Sequence, residues 1–498
     1  MTKINAVLAL VLAFAASWNS SGAQPAPDRY HQKLQPIVEK LIQQQELPGF
    51  AIGVIEDNRV VYAAAFGVRN ISHQDDPMTT RSLFHMASIT KPYVATSIMQ
   101  LVEHGKIDLD APAVKYLPYF RMADERYKII SVRQMVTHTS GMPDVDDYEW
   151  EKPQYDETAL ERYVRSLSNL KLEFAPGERF QYSNMAFEIL GDVIAKVSGE
   201  SFDDYVQRHI LAPLVMKDST LLLKQADPKL LDWGHELDET GAPFPSKVYP
   251  YNRIHSPSSN LHSNVLDMTR WAIANMNRGE LGGVRILQAS TYDAMWKPAG
   301  EFRGKPSPAG ISWFLGEYRG NKMISHDGGD TGFLTGLAML PEKKIAVVWM
   351  TNAEWLPDTG AITHAALDVA LGLEPQPVNG KRSVSQAVFL ADRSGGIDAA
   401  IKQYETLKKL RPDTYNFGVG QLIGFGRYLL RNGRTKDAVR IFELNAAAFP
   451  SSANTFDALG EAYEKDGNRP LAVSNYEKAL QLDPKQAHAA EALKRLKN

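Results

Sequence analysis

Leu422, Phe425, Gly426, Leu429, Gly433, Ala438, Phe442, Asn445 and Pro450 recur as Phe456, Leu459, Gly460, Tyr463, Gly467, Ala472, Tyr476, Ala479 and Pro484, each pair 34 residues apart. Large apolar, small and aromatic positions in that order, closed by proline, describe two antiparallel helices per unit, with the small residues where the helices approach closely. A weaker unit, Gly395, Ala400, Tyr404, Leu407 and Pro412, keeps its internal spacing but stands 38 residues before the next proline, which reads as a four-residue insertion. Three units meet the minimum such a stack needs to bury a continuous core. The polar residues 486–498 read as a capping helix.

The repeat resembles the tetratricopeptide repeat, so residues 383–498 are expected to form an all-α solenoid. Such arrays take extended peptides or helices in their concave face, which implies a protein partner. Upstream, residues 375–382 begin Pro375-Gln376-Pro377 and hold Gly380, a run that breaks helix and strand and marks a linker. Residues 24–374 then form one domain of catalytic size. Its start reads as a helix over 28–45 followed by a hairpin, Phe50 to Glu56 and Val60 to Gly67. Its end reads as a buried strand over 344–352 and a helix over 362–371. Strands at both ends with helices between predict an antiparallel sheet covered by helices, an α/β (α+β) class.

Residues 1–23 have the form of a cleavable signal peptide: Lys3, an apolar run from Ile4 to about Trp18, then Ser21-Gly22-Ala23. Cleavage is expected after Ala23, with the mature chain periplasmic or secreted. No other stretch is long and apolar enough to be a stable membrane span. There is no cysteine, which excludes disulfides, thiol catalysis and cysteine-ligated zinc. The formal charge of −3, or −4 without Lys3, offers no basic field for nucleic acid.

Ser-x-x-Lys occurs twice, at Ser88-Ile-Thr-Lys91 and Ser168-Asn-Leu-Lys171, and context separates the two. Pro92 and an apolar helical run follow Lys91, so a helix begins beside Ser88. The serine then stands at the positive end of a buried helix, with Lys91 one turn on. A desolvated lysine loses part of its preference for the charged form, and a neutral amine can take the serine proton. Ser168 runs instead into Ala175-Pro176-Gly177. Two further elements carry chemistry: Tyr182-Ser183-Asn184, on a loop entering a helix, and Ser325-His326-Asp327-Gly328-Gly329-Asp330-Thr331-Gly332-Phe333, expected to enter a strand pair. Closely spaced glycines let backbone N–H groups reach a substrate carbonyl. His85 and His138 invite a Ser-His-Asp reading, but Gly-x-Ser-x-Gly is missing from the chain. Neither His-Glu-x-x-His nor an acidic calcium loop occurs, so no metal and no cofactor is expected. Ser263 reads as a helix N-cap, and Trp271 and Trp296 as core residues.

Ser88-x-x-Lys91, Tyr182-x-Asn184 and His326-x-Gly328, in that order, resemble the three motifs of the serine β-lactamase and penicillin-binding-protein superfamily. Supporting segments are residues 130–144, Leu190-Gly191, Ser198-Gly199 and residues 213–220, and the similarity spans about residues 30–372. The branch implied is that of class C β-lactamases, D-Ala-D-Ala carboxypeptidases, D-aminopeptidases and related esterases. The resemblance implies that Ser88 is the acylated nucleophile, Lys91 its activating partner and Tyr182 the general base, its phenolate favoured by the lysine charge. It implies that Asn184 and His326 contact substrate, with the oxyanion between the backbone N–H groups of Ser88 and Gly329, beside Gly328. Two departures stand out. Class C β-lactamases place lysine where His326 stands, and residues 353–360 offer Glu354 and Asp358 but no cation for a substrate carboxylate. They favour an esterase or peptidase acting on an ester, amide or D-amino-acid peptide over a β-lactamase or carboxypeptidase. A catalytically weak scaffold or peptidoglycan-binding protein is the rival of another class.

Overall fold

The computed structural model describes residues 29–498 apart from 303, 357, 379 and 498, and the expected signal peptide lies outside the described residues. Helix α1 (Gln35–Gln45) leads into the expected hairpin, β1 (Gly49–Glu56) and β2 (Arg59–Gly67). Helices α2 (Lys91–Glu103), α3 (Asn184–Ser198) and α4 (Val265–Met276) lie in the long insertion before the chain returns to the sheet. Strands β3 (Phe314–Tyr318), β4 (Asn321–Asp330), β5 (Phe333–Leu340) and β6 (Ile345–Thr351) complete it, and α5 (Thr359–Ala370) follows. The sheet order is β3-β4-β5-β6-β1-β2, antiparallel throughout, so the first and last strands of the domain pair within its interior, Val54 opposite Val347.

Alternation explains why both faces are covered. Phe50, Ile52 and Val54 point to the face packed by α1 and α5, where Trp349 and Ile362 join them. Ala51 and Ile55 point to the other, against the helical insertion. Gly53 lets α4 lie close: a Cβ there would come 2.9 Å from both Val265 and Thr269 side chains. Asn264, not Ser263, caps α4, accepting from the Asp267 N–H at 2.9 Å. Ser263 instead pairs with Phe84 in a short two-stranded ladder that delivers residues 84–85 to the site. Trp271 and Trp296 are buried core residues, as expected.

Beyond residue 383 the chain is helical: α6 (Val384–Leu410), α7 (Gly420–Arg431), α8 (Thr435–Ala448), α9 (Ala453–Lys465), α10 (Arg469–Leu482) and α11 (Ala487–Lys497). The 34-residue period has a direct physical counterpart. A Cβ on Gly426 would lie 2.4 Å from the Phe442 ring, and one on Gly460 2.8 Å from the Tyr476 ring, so each of the two later units uses a glycine to seat an aromatic residue. Helix α6 is two helices merged across Gly396, which takes φ +73°. The extra residues after it, around Tyr415-Asn416, pair in parallel with Arg382-Ser383 and dock on the first domain. None of the described helices is long and apolar enough to cross a membrane.

Candidate active site

Ser88 sits in a tight 3₁₀ turn, Ala87–Thr90, that runs directly into α2. Ala87, immediately before it, holds φ +48°, a left-handed conformation that costs a non-glycine residue about 1–2 kcal/mol. Such strain persists where the surroundings over-determine it, and here it aims the Ser88 side chain. Lys91 is fully buried, and its Nζ donates to Ser88 Oγ at 3.0 Å and to the Ser258 carbonyl at 2.9 Å. Burial pulls the Lys91 ammonium down to about 8, against the opposing charges of Glu188, Asp330 and Asp144. The second Ser-x-x-Lys motif is exposed at both Ser168 and Lys171 and has no such surroundings.

Tyr182 arrives from the loop before α3, which Ser183 caps by accepting from the Ala186 N–H at 3.2 Å. The Lys91 ammonium lies 5.0 Å from the Tyr182 ring centroid, and the Ser88 hydroxyl is within hydrogen-bond reach of the phenol. The expected phenolate is not favoured. Burial pushes the Tyr182 phenol well up, the Ser88 hydrogen bond works against that, and Asp144, Asp330 and Glu188 add to it. With burial the largest cause and the three carboxylates adding to it, Tyr182 stays a neutral hydroxyl.

Asn184 opens α3, and its amide is turned to Asp144: Nδ2 donates to Oδ1 at 3.0 Å and the backbone N–H at 2.8 Å. That pairing fixes the orientation of the Asn184 side chain. His326 is buried inside β4 rather than entering it, with Nδ1 at 2.7 Å from the Asp327 carbonyl and Nε2 without a partner. Burial, helped by the Lys91 charge, takes His326 down to about 3, so it is neutral at pH 7. Phe314 packs against both rings, 5.3 Å from His326 and 6.4 Å from Tyr182.

Sheet topology explains how Gly328 and Gly329 come to face the serine. Pairing of β4 with β3 stops at Ser325 opposite Phe314, while pairing with β5 continues to Asp330, so the outer edge of β4 is open from His326 onward. The Ser88 turn lies along that edge. A Cβ on Gly328 would come 2.3 Å from the Met86 carbonyl and 3.1 Å from the Ser88 nitrogen. Backbone N–H groups on an unpaired strand edge beside a helix start suit a developing oxyanion.

Four residues around this centre drew no role from the sequence. His138 stacks on Tyr182 at 4.3 Å with φ +56°, and its Nδ1 accepts from the Ser183 N–H. Glu188, fully buried, accepts from Ser258 Oγ at 2.6 Å and faces His255 Nδ1 at 3.0 Å, holding the segment whose carbonyl accepts a hydrogen bond from Lys91. Asp330 is bound by buried His85 at 2.8 Å and by Ser259, so His85 serves this carboxylate and not Ser88. Asp144 orients Asn184. Only Glu188 carried a usable signal, one helical turn after Asn184. Among the described residues, no group of His, Cys, Asp or Glu could hold a metal ion.

The family model described as beta-lactamase matches residues 34–371. Protein flp of Staphylococcus aureus strain MW2 is 25% identical over 362 residues, covering 72% of this chain and 69% of that protein. Penicillin-binding protein 4 of Amycolatopsis lactamdurans is 26% identical over 332 residues, covering 65% and 85%. The octameric penicillin-binding protein homologue from Pyrococcus abyssi superposes with a TM-score of 0.60 at 27% identity, over 69% of this chain and 77% of that one. With the match running from α1 through α5, the chain belongs to the beta-lactamase family.

Proposed function

We propose that the protein is an exported serine hydrolase that forms an acyl-enzyme at Ser88 on an ester, amide or D-amino-acid peptide substrate. The observation that carries this reading is the 3.0 Å approach of the Lys91 amine to the Ser88 hydroxyl in a buried site that brings the amine down to about 8. Ser88 Oγ attacks the substrate carbonyl carbon as its proton passes to neutral Lys91. The carbonyl oxygen becomes the oxyanion, held by the N–H groups of Ser88 and Gly329. Collapse breaks the bond to the leaving alcohol or amine, which takes a proton from the neutral Tyr182 hydroxyl, itself resupplied by Lys91. Water then attacks the acyl-enzyme by the same route and frees the acid and Ser88. His326, neutral and with Nε2 unpartnered, meets an uncharged polar group of the substrate.

The second reading, a β-lactamase or D-Ala-D-Ala carboxypeptidase, draws on a relative named penicillin-binding protein. It is weakened at the place where a carboxylate anchor is needed: residues 353–360 hold the acidic Glu354 and Asp358 and no basic side chain. Intact-protein mass spectrometry after incubation with a fluorophosphonate, a penicillin and a p-nitrophenyl ester, with Ser88→Ala alongside, tests both. Fluorophosphonate labelling and ester turnover that vanish in Ser88→Ala are expected, with Ser168→Ala unchanged. A Ser88-dependent penicillin adduct selects the second reading, and no adduct from any probe selects a scaffold. N-terminal sequencing of the exported chain is expected to begin at Gln24.

A further inference from the structure

We propose that Glu354 is a positioning residue for the reaction at Ser88, and that the C-terminal helical array holds it in place. The inference rests on the reading of Ser88 and Gly329 given above. It starts at the Thr331-Gly332 turn, which joins the glycine-bearing end of β4 to β5. Gly332 is held chiefly through its N–H, which donates to Glu354 Oε2 at 3.0 Å; its carbonyl shares the His235 N–H, at 3.4 Å, with the Asn352 carbonyl at 3.1 Å. With φ +78°, and with room for a Cβ denied by Gly234 Cα at 2.6 Å, the turn has one conformation and one place. Two residues back, Asp330 is pinned by His85 and Ser259. Between these anchors and the Ser88 turn lies Gly329, whose N–H must meet an oxyanion to within a few tenths of an ångström.

Glu354 is itself held from the array. Gln386 of α6 donates its Nε2 to the Glu354 carbonyl at 3.0 Å. Next door, Trp355 lies 5.5 Å under the Arg382 guanidinium and donates its indole N–H to the Gln45 carbonyl at 2.8 Å. Arg382, only 1% exposed, is tied in turn to the Gly241 carbonyl at 2.7 Å and to Glu46 at 2.9 Å. Residues 353–355 are thus a strap between sheet and array, with Glu354 as its inward contact. A cavity of about 400 Å³, lined by Glu354, Trp355, Arg382, Gln386, Gln403 and Tyr415 among others, lies at this joint. Keeping a carboxylate in such a place is costly: burial raises Glu354 to about 7, and the Gly332 N–H only partly offsets that. A charge-assisted bond to one backbone N–H is what the side chain supplies in return.

The test uses the full chain and compares kcat and KM on p-nitrophenyl acetate with the rate of fluorophosphonate labelling at Ser88. Glu354→Ala is expected to lower kcat and labelling about tenfold with KM unchanged within twofold. Glu354→Gln, which keeps an acceptor for the Gly332 N–H, is expected to recover to within threefold of wild type. Gln386→Ala is expected to lower kcat several-fold, and Gln403→Ala, which lines the same cavity away from the strap, to leave it at the wild-type value. Should Glu354→Ala not fold, Gln386→Ala and Glu354→Gln carry the test. Wild-type kcat in Glu354→Ala or in Gln386→Ala overturns the inference, as does a loss confined to KM. A wild type that does not label at Ser88 removes the reading of the site itself, whereas normal labelling with an unaffected Glu354→Ala removes only the strap.

Discussion

In the proposed reaction Lys91 is the decisive residue, because burial brings its ammonium down to about 8 while three carboxylates resist. If the neutral amine is the proton acceptor, kcat/KM for an ester rises with pH as the ammonium loses its proton, with a midpoint at about 8. Glu188 is the largest of the opposing charges, so Glu188→Gln lets Lys91 lose its proton more easily and moves the midpoint to lower pH. A pH–rate profile of the two proteins decides this; a flat profile from pH 6 to 10, or a midpoint that moves upward, counts against Lys91 as the base. Ser88 and Lys91 were legible because a proline-led helix follows them and does not follow Ser168. The state of Tyr182 was not, because it is set first by burial under other segments and then by Asp144, Asp330 and Glu188, which reach it from three separate segments. Asp144 stands 40 residues before the Asn184 it orients, and no local pattern links the two.

Among the elements, β4 shows how a strand edge becomes a reaction surface. The His326-to-Gly329 stretch was legible as a glycine-rich strand region, but which edge of the strand stays open depends on where β3 ends, and that is a matter of long-range register. Gly328→Ala puts a Cβ 2.3 Å from the Met86 carbonyl, so the Ser88 turn and the strand must part. Loss of one oxyanion donor costs about 10²–10³-fold in rate, and Gly328→Ala is expected to slow fluorophosphonate labelling by at least the lower figure while near-ultraviolet circular dichroism stays native. Labelling within threefold of wild type would show that this edge takes no part. The array offers the complementary case, in which helix pairing was read from a period alone and the glycine–aromatic contacts fall where the period put them. Its first unit was fainter for a physical reason: Val388 stands where the later units carry Gly426 and Gly460, and Gly396 breaks the helix. Gly426→Ala pushes a Cβ to 2.4 Å from the Phe442 ring. Overpacking of this kind costs about 1–3 kcal/mol, to be read as a lower urea midpoint for the array transition, with Ser88 labelling in native buffer unchanged. An unshifted midpoint would mean the helices separate at no cost.

At the scale of the whole molecule, two cores meet at a polar joint. The hydrophobic clusters of the sheet domain draw on residues 30–378, and those of the array on residues 384–496, so neither interior needs side chains from the other. Between them the contacts are polar and directed: Arg382 to Glu46, Arg411 to Glu46 at 2.9 Å and to the Thr240 carbonyl at 2.9 Å, and Gln386 to Glu354. The stretch read as a linker therefore ends in an anchor, since Arg382 is almost wholly buried. Proline and glycine mark a break in regular structure, but they carry no information about whether the residue that follows is gripped by a neighbour. Separate cores predict that a chain ending at residue 381 folds and still labels at Ser88. The strap predicts that it labels slowly, by at least the factor seen for Gln386→Ala in the full chain, because the truncation removes Arg382 from over Trp355 as well as Gln386 from Glu354. Thermal unfolding of the truncated protein and its rate of fluorophosphonate capture, measured side by side with the full chain, separate the outcomes. Full-rate capture would leave the array a recognition device only; a truncated chain that cannot fold would mean that the polar joint, and not the two interiors, sets the cooperative unit.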